Sequence, residues 1–328
     1  MALKDTEYMY ISARIKAREG QTTYSARIKG YLECKTLSEL CNIVLPGVSL
    51  DAMAQRDALE SYFDGAVKSA FELVRESAPD PKCFDFLLYE YDACNLKTLI
   101  KGTIRDVSVD GMLYEIGTVS IEDIRTAVST RHTENVLAPN MASALGEAYE
   151  AYSKTKDARV IDFIIDRACF ADMLENARLC GSDLAIELVK TRIDGINIST
   201  LQRIVHSSLA DKQSTLDMAF IPGGQIPLDL LLRVLDDSEY SLLDALEGTK
   251  YRDIVRSLGE GFGFFALERA MDMAYLALID EVKYIPFGVE VVCSYLVNTL
   301  FEAKNARIII AGIASGLDEE KIRERARI

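Results

Sequence analysis

The chain has 328 residues, of which 49% are apolar and 27% charged, with 7 Pro and a formal net charge of −14. That suffices for a sizeable core in two or three domains or in one repeat assembly, and so little proline leaves long helices unobstructed. The acidity serves solubility on the plainest reading; it also repels phosphate backbones, and with no dense Lys/Arg patch among aromatics it argues against nucleic acid as a partner.

The chain opens Met1-Ala-Leu-Lys4-Asp5-Thr-Glu7, where charge interrupts any apolar stretch, so no signal peptide is expected. Seven cysteines follow at wide spacing, Cys34, Cys41, Cys83, Cys94, Cys169, Cys180 and Cys293. An odd count with no C-x-x-C pair reads as reduced, mostly buried thiols in a cytoplasm. After a break at Leu45-Pro46-Gly47, the residues Leu59, Tyr62, Phe63, Ala66, Val67, Ala70, Phe71 and Val74 form an apolar stripe at the helical period. Pro79-Asp-Pro81 ends that helix, and a second begins near Asp92 and Asn95 and continues through Leu96, Leu99 and Ile100. Beyond Ala138-Pro139-Asn140, Ile161, Ile164, Ile165, Ala168 and Cys169 mark another helix, and Ile198, Leu201, Ile204 and Val205 the next. Ile221-Pro-Gly-Gly224 is a turn. Gly261 to Val282 is apolar but broken by Glu268, Arg269, Asp272, Asp280 and Glu281, and Ala306 to Leu317 is too short, so no membrane span is expected.

A repeat runs through these elements. Its first part, an apolar residue, an acid, three residues and Asp, occurs as Leu59-Glu60…Asp64, Ile161-Asp162…Asp166 and Leu267-Glu268…Asp272. Its second, an acid, two residues and Asn, occurs as Asp92…Asn95, Asp194…Asn197 and Glu302…Asn305. The step from the first Asp to the second acid is 28, 28 and 30 residues, and the three Asn lie 102 and 108 apart. A third part links Gly117-Thr-Val119-Ser120-Ile121-Glu122 with Gly224-Gln-Ile226-Pro227-Leu228-Asp229; the third copy ends instead on Ser315-Gly-Leu-Asp-Glu-Glu320. The expected fold is all-α, with about five helices in each of three units, residues 1–107, 108–210 and 211–328, each ending in a helical hairpin that carries the two main parts. Three such units suggest a pseudo-threefold body.

Acids four apart, or an acid and an Asn three apart, share one helix face. Set among apolar neighbours, Asp92, Asn95, Asp194, Asn197, Glu302 and Asn305 read as a hydrogen-bonded clasp made once per unit, with Asp64, Asp166 and Asp272 as its companions. An active site built three times without a nucleophile or base has little chemical logic. His132 and His206 share no motif. Gly248-Thr-Lys250 lacks the rest of a phosphate-binding loop, and no acid–His cluster has metal spacing. Gly261-Phe-Gly263-Phe-Phe-Ala266 fits a loose dinucleotide fingerprint but follows a helical stretch, so a helix–helix loop is expected and no cofactor.

The start Tyr8-Met-Tyr10-Ile-Ser-Ala13-Arg14-Ile15, the run Asp92-Ala-Cys-Asn95-Leu96-Lys97-Thr-Leu99-Ile100-Lys101-Gly102, the pattern Gly181-Ser182…Lys190…Ile193-Asp194…Asn197-Ile198 and the end Glu302-Ala-Lys304-Asn305-Ala-Arg307…Gly312…Gly316-Leu317 together resemble the C subunit of the archaeal and bacterial A/V-type rotary ATPases, whose eukaryotic relative is the d subunit of the V-ATPase. Gly195, inside an expected helix, and the side chains around Cys34–Cys41 depart from that pattern. The resemblance implies three similar helical domains around a pseudo-threefold axis, funnel-like, without catalytic residues, cofactor or metal. It implies a peripheral place on the cytoplasmic side of the membrane, in the central stalk between the D and F shaft subunits and the membrane proteolipid ring. The other readings are a helical-repeat adaptor outside such a machine and a soluble helical enzyme.

Overall fold

The computed structural model describes residues 4–20, 23–51, 53–133, 135–237, 239–259 and 261–327, so Met1 to Leu3 of the opening lie outside it. Among the described residues the chain is helical with no strand. The α-helices are, in order, α1 Met9–Glu19, α2 Tyr24–Leu32, α3 Leu37–Val44, α4 Ala54–Ser77, α5 Tyr89–Arg105, α6 Ile121–Thr130, α7 Pro139–Thr155, α8 Arg159–Leu179, α9 Asp183–Val205, α10 Lys212–Ala219, α11 Leu228–Asp236, α12 Leu242–Ala245, α13 Arg252–Arg256, α14 Phe264–Ala277, α15 Val289–Ala314 and α16 Glu319–Arg325. Many start where the sequence supplies a capping oxygen for an orphan N–H: Thr23, Thr36, Ser120, Asp211, Ser241 and Asp318 each accept from the backbone three residues on. The first repeat part lies on α4, α8 and α14, and the second on α5, α9 and α15.

The chain divides into two compact units. The first joins both ends of the chain, Met1–Lys82 with Tyr275–Ile328. Here α4 and α15 pack along each other, with α1, α2, α3 and α16 against them. The stripe read on α4 faces inward: Leu59, Phe63, Val67, Ala70 and Val74 are buried, as are Val292, Leu296, Ile309 and Ile310 of α15 and Ile11, Ile15 and Ile28. Tyr62 and Ala66, also on the stripe, are exposed.

The second unit is Cys83–Ala274. In it α8 is central and packs on α5, α7 and α9, while α6 covers α5 and α10 and α11 cover α9. Its far end has a core of Ile198, Leu201, Leu216, Leu231, Leu246, Tyr251 and Leu267. Gly195 finds its reason here: a Cβ on it would lie 3.2 Å from Met271 Cβ, so glycine lets α14 approach α9. Six cysteines are buried and Cys94 half-buried, all as free thiols.

Candidate functional site

The repeated acid and amide can be followed copy by copy. Asp92 sits in the first turn of α5, fully buried. Its carboxylate accepts from Thr118 N at 3.0 Å, Thr118 Oγ1 at 2.5 Å and Val119 N at 3.3 Å. One turn on, Asn95 exchanges two bonds with a single residue: Nδ2 donates to Tyr114 O and Oδ1 accepts from Tyr114 N, both at 2.8 Å. The amide thus replaces the ladder partner that this stretch of loop backbone lacks. Gly117 allows the loop to come so close, because a Cβ there would overlap Asp92 Oδ1.

The second copy is built alike. Asp194 accepts from Gln225 N at 2.8 Å, Ile226 N at 3.1 Å and the Tyr251 hydroxyl at 2.8 Å. Asn197 donates to Ile221 O at 2.8 Å and accepts from Ile221 N at 3.0 Å. Gly224 stands where Gly117 did, and a Cβ on it would overlap Asp194 Oδ1. In the third copy the amide keeps its habit, Asn305 donating to Arg327 O at 2.9 Å and accepting from Arg327 N at 2.8 Å. The acid does not. Glu302 accepts from Arg27 Nε at 2.9 Å, Arg27 Nη2 at 2.6 Å and the Tyr31 hydroxyl at 2.8 Å, all from α2.

The companion acids lie apart from these clasps and meet cations. Asp64 pairs with Arg307, Asp166 with Lys97, and Asp272 with Arg192 at 3.5 Å, whose guanidinium also holds Glu90 at 2.9 Å. One turn earlier, Asp162 pairs with Lys101 at 2.5 Å and Glu268 with Arg203 at 2.6 Å. These cations were not singled out by the repeat. Lys97 and Arg307 follow the repeated Asn by two residues, which was a usable signal; Ser199 holds that place in the second copy, and Arg192 serves from the other side of Asp194. Asp172 was missed as well. This buried carboxylate of α8 accepts from Asn140 N and Met141 N, both at 2.9 Å, and so caps α7, whose first residue, Pro139, has no N–H of its own.

Burial sets the electrostatics. It pushes the Asp92 carboxyl up to about 6, against the pull of the Thr118 and Val119 donors. Burial likewise raises Asp194 over the Tyr251 and backbone donors, and Asp166 over Lys97. Lys97 itself loses by burial and gains more from Asp166, ending above its ordinary value.

Each clasp acid holds several donors and has no histidine or cysteine among them. A cavity of about 270 Å³ beside Glu302 is lined by Arg18, Arg27, Tyr31, Tyr62 and Tyr295 among others, and one of about 400 Å³ by Lys101, Tyr152, Lys156 and Arg159 among others. Neither lining contains a histidine or cysteine. His206 Nδ1 lies 2.8 Å from Gln202 O, and His132 is exposed. Among the described residues no group of His, Cys, Asp and Glu is placed to hold a metal ion, and no helix is long and apolar enough to cross a membrane. Gly261 and Gly263 lie just ahead of α14, with α13 as the preceding element.

The ATP synthase (C/AC39) subunit family model matches residues 11–325. The sequence is 26% identical over 338 residues to the C subunit of the A-type ATP synthase of Thermococcus gammatolerans, covering 98% of this chain and 90% of that one. It is 27% identical over 341 residues to that of Thermococcus onnurineus, with the same coverage. It is 24% identical over 261 residues to the C subunit of the V-type sodium ATPase of Enterococcus hirae, 78% of each chain.

Proposed function

The chain belongs to the ATP synthase (C/AC39) subunit family, and from that membership we propose that it is a non-catalytic coupling piece of the central stalk. In this role it joins the D and F shaft subunits to the membrane proteolipid ring, on the cytoplasmic side, and passes torque between them while the nucleotide chemistry is done by other subunits.

A coupler of this kind must be stiff. The observation that carries the reading is the thrice-made amide clasp: Asn95, Asn197 and Asn305 each exchange two hydrogen bonds with one backbone residue 19, 24 and 22 positions on. Such bonds fix a returning segment in one register on its helix, because a shift by one residue leaves a buried donor and acceptor unpaired. Asp92, Asp194 and Glu302 tie the same segments, or α2, a turn away. Asp64, Asp166 and Asp272 fasten the first-part helix of each copy to the second-part helix of the preceding one: α8 to α5, α14 to α9 and α4 to α15. Each copy is thus tied to another in the same way, which fits the three sequence units 1–107, 108–210 and 211–328 read from the repeat.

The test is reconstitution. The purified chain should bind the D–F shaft and the detergent-solubilised ring together and should show no ATP turnover alone. Failure to bridge the two, or turnover that follows the chain through several columns, would overturn the proposal.

A further inference from the structure

The negative charge is unevenly shared. The unit Cys83–Ala274 holds 19 of the Lys and Arg and 31 of the Asp and Glu, a net −12; the other unit holds 18 and 20, a net −2. Within the acidic unit one segment stands out. Residues 106–124 carry five acids, Asp106, Asp110, Glu115, Glu122 and Asp123, and no cation; Arg125, one residue on, pairs with Asp110 and more loosely with Glu122 at 3.7 Å, so one arginine faces two of the five. The segments in the corresponding place after the other two Asn differ: 206–229 has three acids and one lysine, and 315–327 has four acids and four cations. Three versions of one connection therefore differ in charge while sharing the clasp, so the clasp does not explain the acidity.

The same segment exposes apolar side chains that the core does not use: Val107 at 54%, Met112 at 69% and Tyr114 at 40%. It is nonetheless firmly held. Asn95 pins Tyr114, Asp92 pins Thr118 and Val119, Val109 packs on Gly102, and Asp110 pairs with Arg125 at 2.5 Å. A fixed, acidic surface with exposed Val, Met and Tyr loses little entropy when a partner settles on it. Anionic lipid headgroups would be repelled. Short cytoplasmic loops of membrane proteins, by contrast, carry an excess of Lys and Arg.

Resting on the coupling role above, we propose that residues 106–124 form the docking surface for basic cytoplasmic loops of the membrane ring, with the acids meeting lysines or arginines and Val107 and Met112 meeting an apolar side chain between them.

The full chain and the detergent-solubilised ring test this in a binding titration over a range of salt. Asp106→Asn/Glu122→Gln removes two charges without touching a clasp, and asparagine suits the left-handed backbone of Asp106 (φ 52°). Glu320→Gln/Glu324→Gln makes the same charge change in the balanced segment. The first pair should weaken ring binding about tenfold at low salt and flatten its salt dependence, as loss of complementary charge does. The second should stay within about twofold of the wild type on the same grounds. Val107→Ser/Met112→Ser should weaken binding without changing the salt slope. Equal affinity for the first pair and the wild type, or equal weakening by both charge pairs, would overturn the docking site while leaving the coupling role standing. A wild-type chain that binds the shaft but not the ring would overturn both the site and the bridge, and one that binds neither would overturn the coupling role itself.

Discussion

Gly117→Ala is expected to destabilise the chain only while Asp92 is present. Gly117 has no left-handed backbone, so alanine strains nothing there; by restricting the unfolded chain it should by itself stabilise by about 0.4–1 kcal/mol. The new Cβ, however, overlaps Asp92 Oδ1, whereas its next neighbours, Asp92 Cγ at 3.4 Å and Val119 O at 3.5 Å, are ordinary contacts. Oδ1 can move away only by loosening its bonds to Thr118 N at 3.0 Å and Val119 N at 3.3 Å. Losing one hydrogen bond to a charged acceptor costs about 1.5–3 kcal/mol, which leaves a net loss of roughly 1–2 kcal/mol. In an Asp92→Ala background the obstacle is gone, and the same change should be neutral or stabilise by up to about 1 kcal/mol, a coupling of about 2 kcal/mol between the two sites. Urea unfolding read by far-UV circular dichroism and by tyrosine emission suits a chain with 15 Tyr and no Trp. Two compact units need not unfold in one step, so the transition that both probes share is compared. A Gly117→Ala penalty of the same size with and without Asp92 would refute the close-approach argument.

The amides should rank by how deeply their backbone partners are buried. Asn197→Leu strands the N–H and C=O of Ile221 in buried bonds and should cost roughly 2–5 kcal/mol, whereas Asn95→Leu, whose bonds to the Tyr114 backbone are only part-buried, should cost about 1–2 kcal/mol; equal losses in urea titrations would contradict this. Lys97→Met leaves Asp166 facing no cation and should cost about 2 kcal/mol, most of which Lys97→Met/Asp166→Leu should recover, because an apolar pair can replace a half-buried ion pair; a double variant no better than the single would count against it. Asp92 gives a pH effect of definite sign. Its folded pKa of about 6 lies above the ordinary value of 3.8, so the folded chain binds the proton more tightly, and the stability from this group is full below 3.8 and lost as pH rises through 6. Lowering the pH from 7.5 to 5.5 should therefore stabilise the chain by about 0.8 kcal/mol through Asp92 alone. Asp92→Asn should remove that share of the slope; an unchanged slope would show that Asp92 does not titrate as described.

The helices were legible because their stripes are long, as on α4, and because the chain lacks the alternation that strands need. The clasp residues were legible because they recur. Their partners were not: a backbone N–H or C=O has no residue type, so nothing in the letters of Tyr114, Ile221 or Arg327 marks them as ends of a bond. Gly117 and Gly224 could be aligned, but the reason for glycine lies in a carboxylate 25 and 30 residues upstream. Arg27 and Tyr31, which hold Glu302 across 275 and 271 residues, were beyond any local pattern. Gly195 read as an anomaly because its cause is Met271 on another helix.

The third copy bears on how the repeat is completed. In the first two, the acid binds backbone N–H groups of a loop that follows within 32 residues and leads into α6 or α11. After Asn305, α16 brings the chain back to the amide through Arg327, and the acid's donors come from α2 instead. Helix α2 packs on α15 as α6 packs on α5 and α11 on α9, so both ends of the chain build the one unit. A side chain must then span the distance that a loop covers elsewhere, which fits a glutamate, one methylene longer than aspartate, reaching an arginine and a tyrosine. Glu302→Asp should therefore loosen this unit, while Asp92→Glu should clash with its loop; thermal unfolding that tolerates both exchanges equally would show that the length of the acid does not matter.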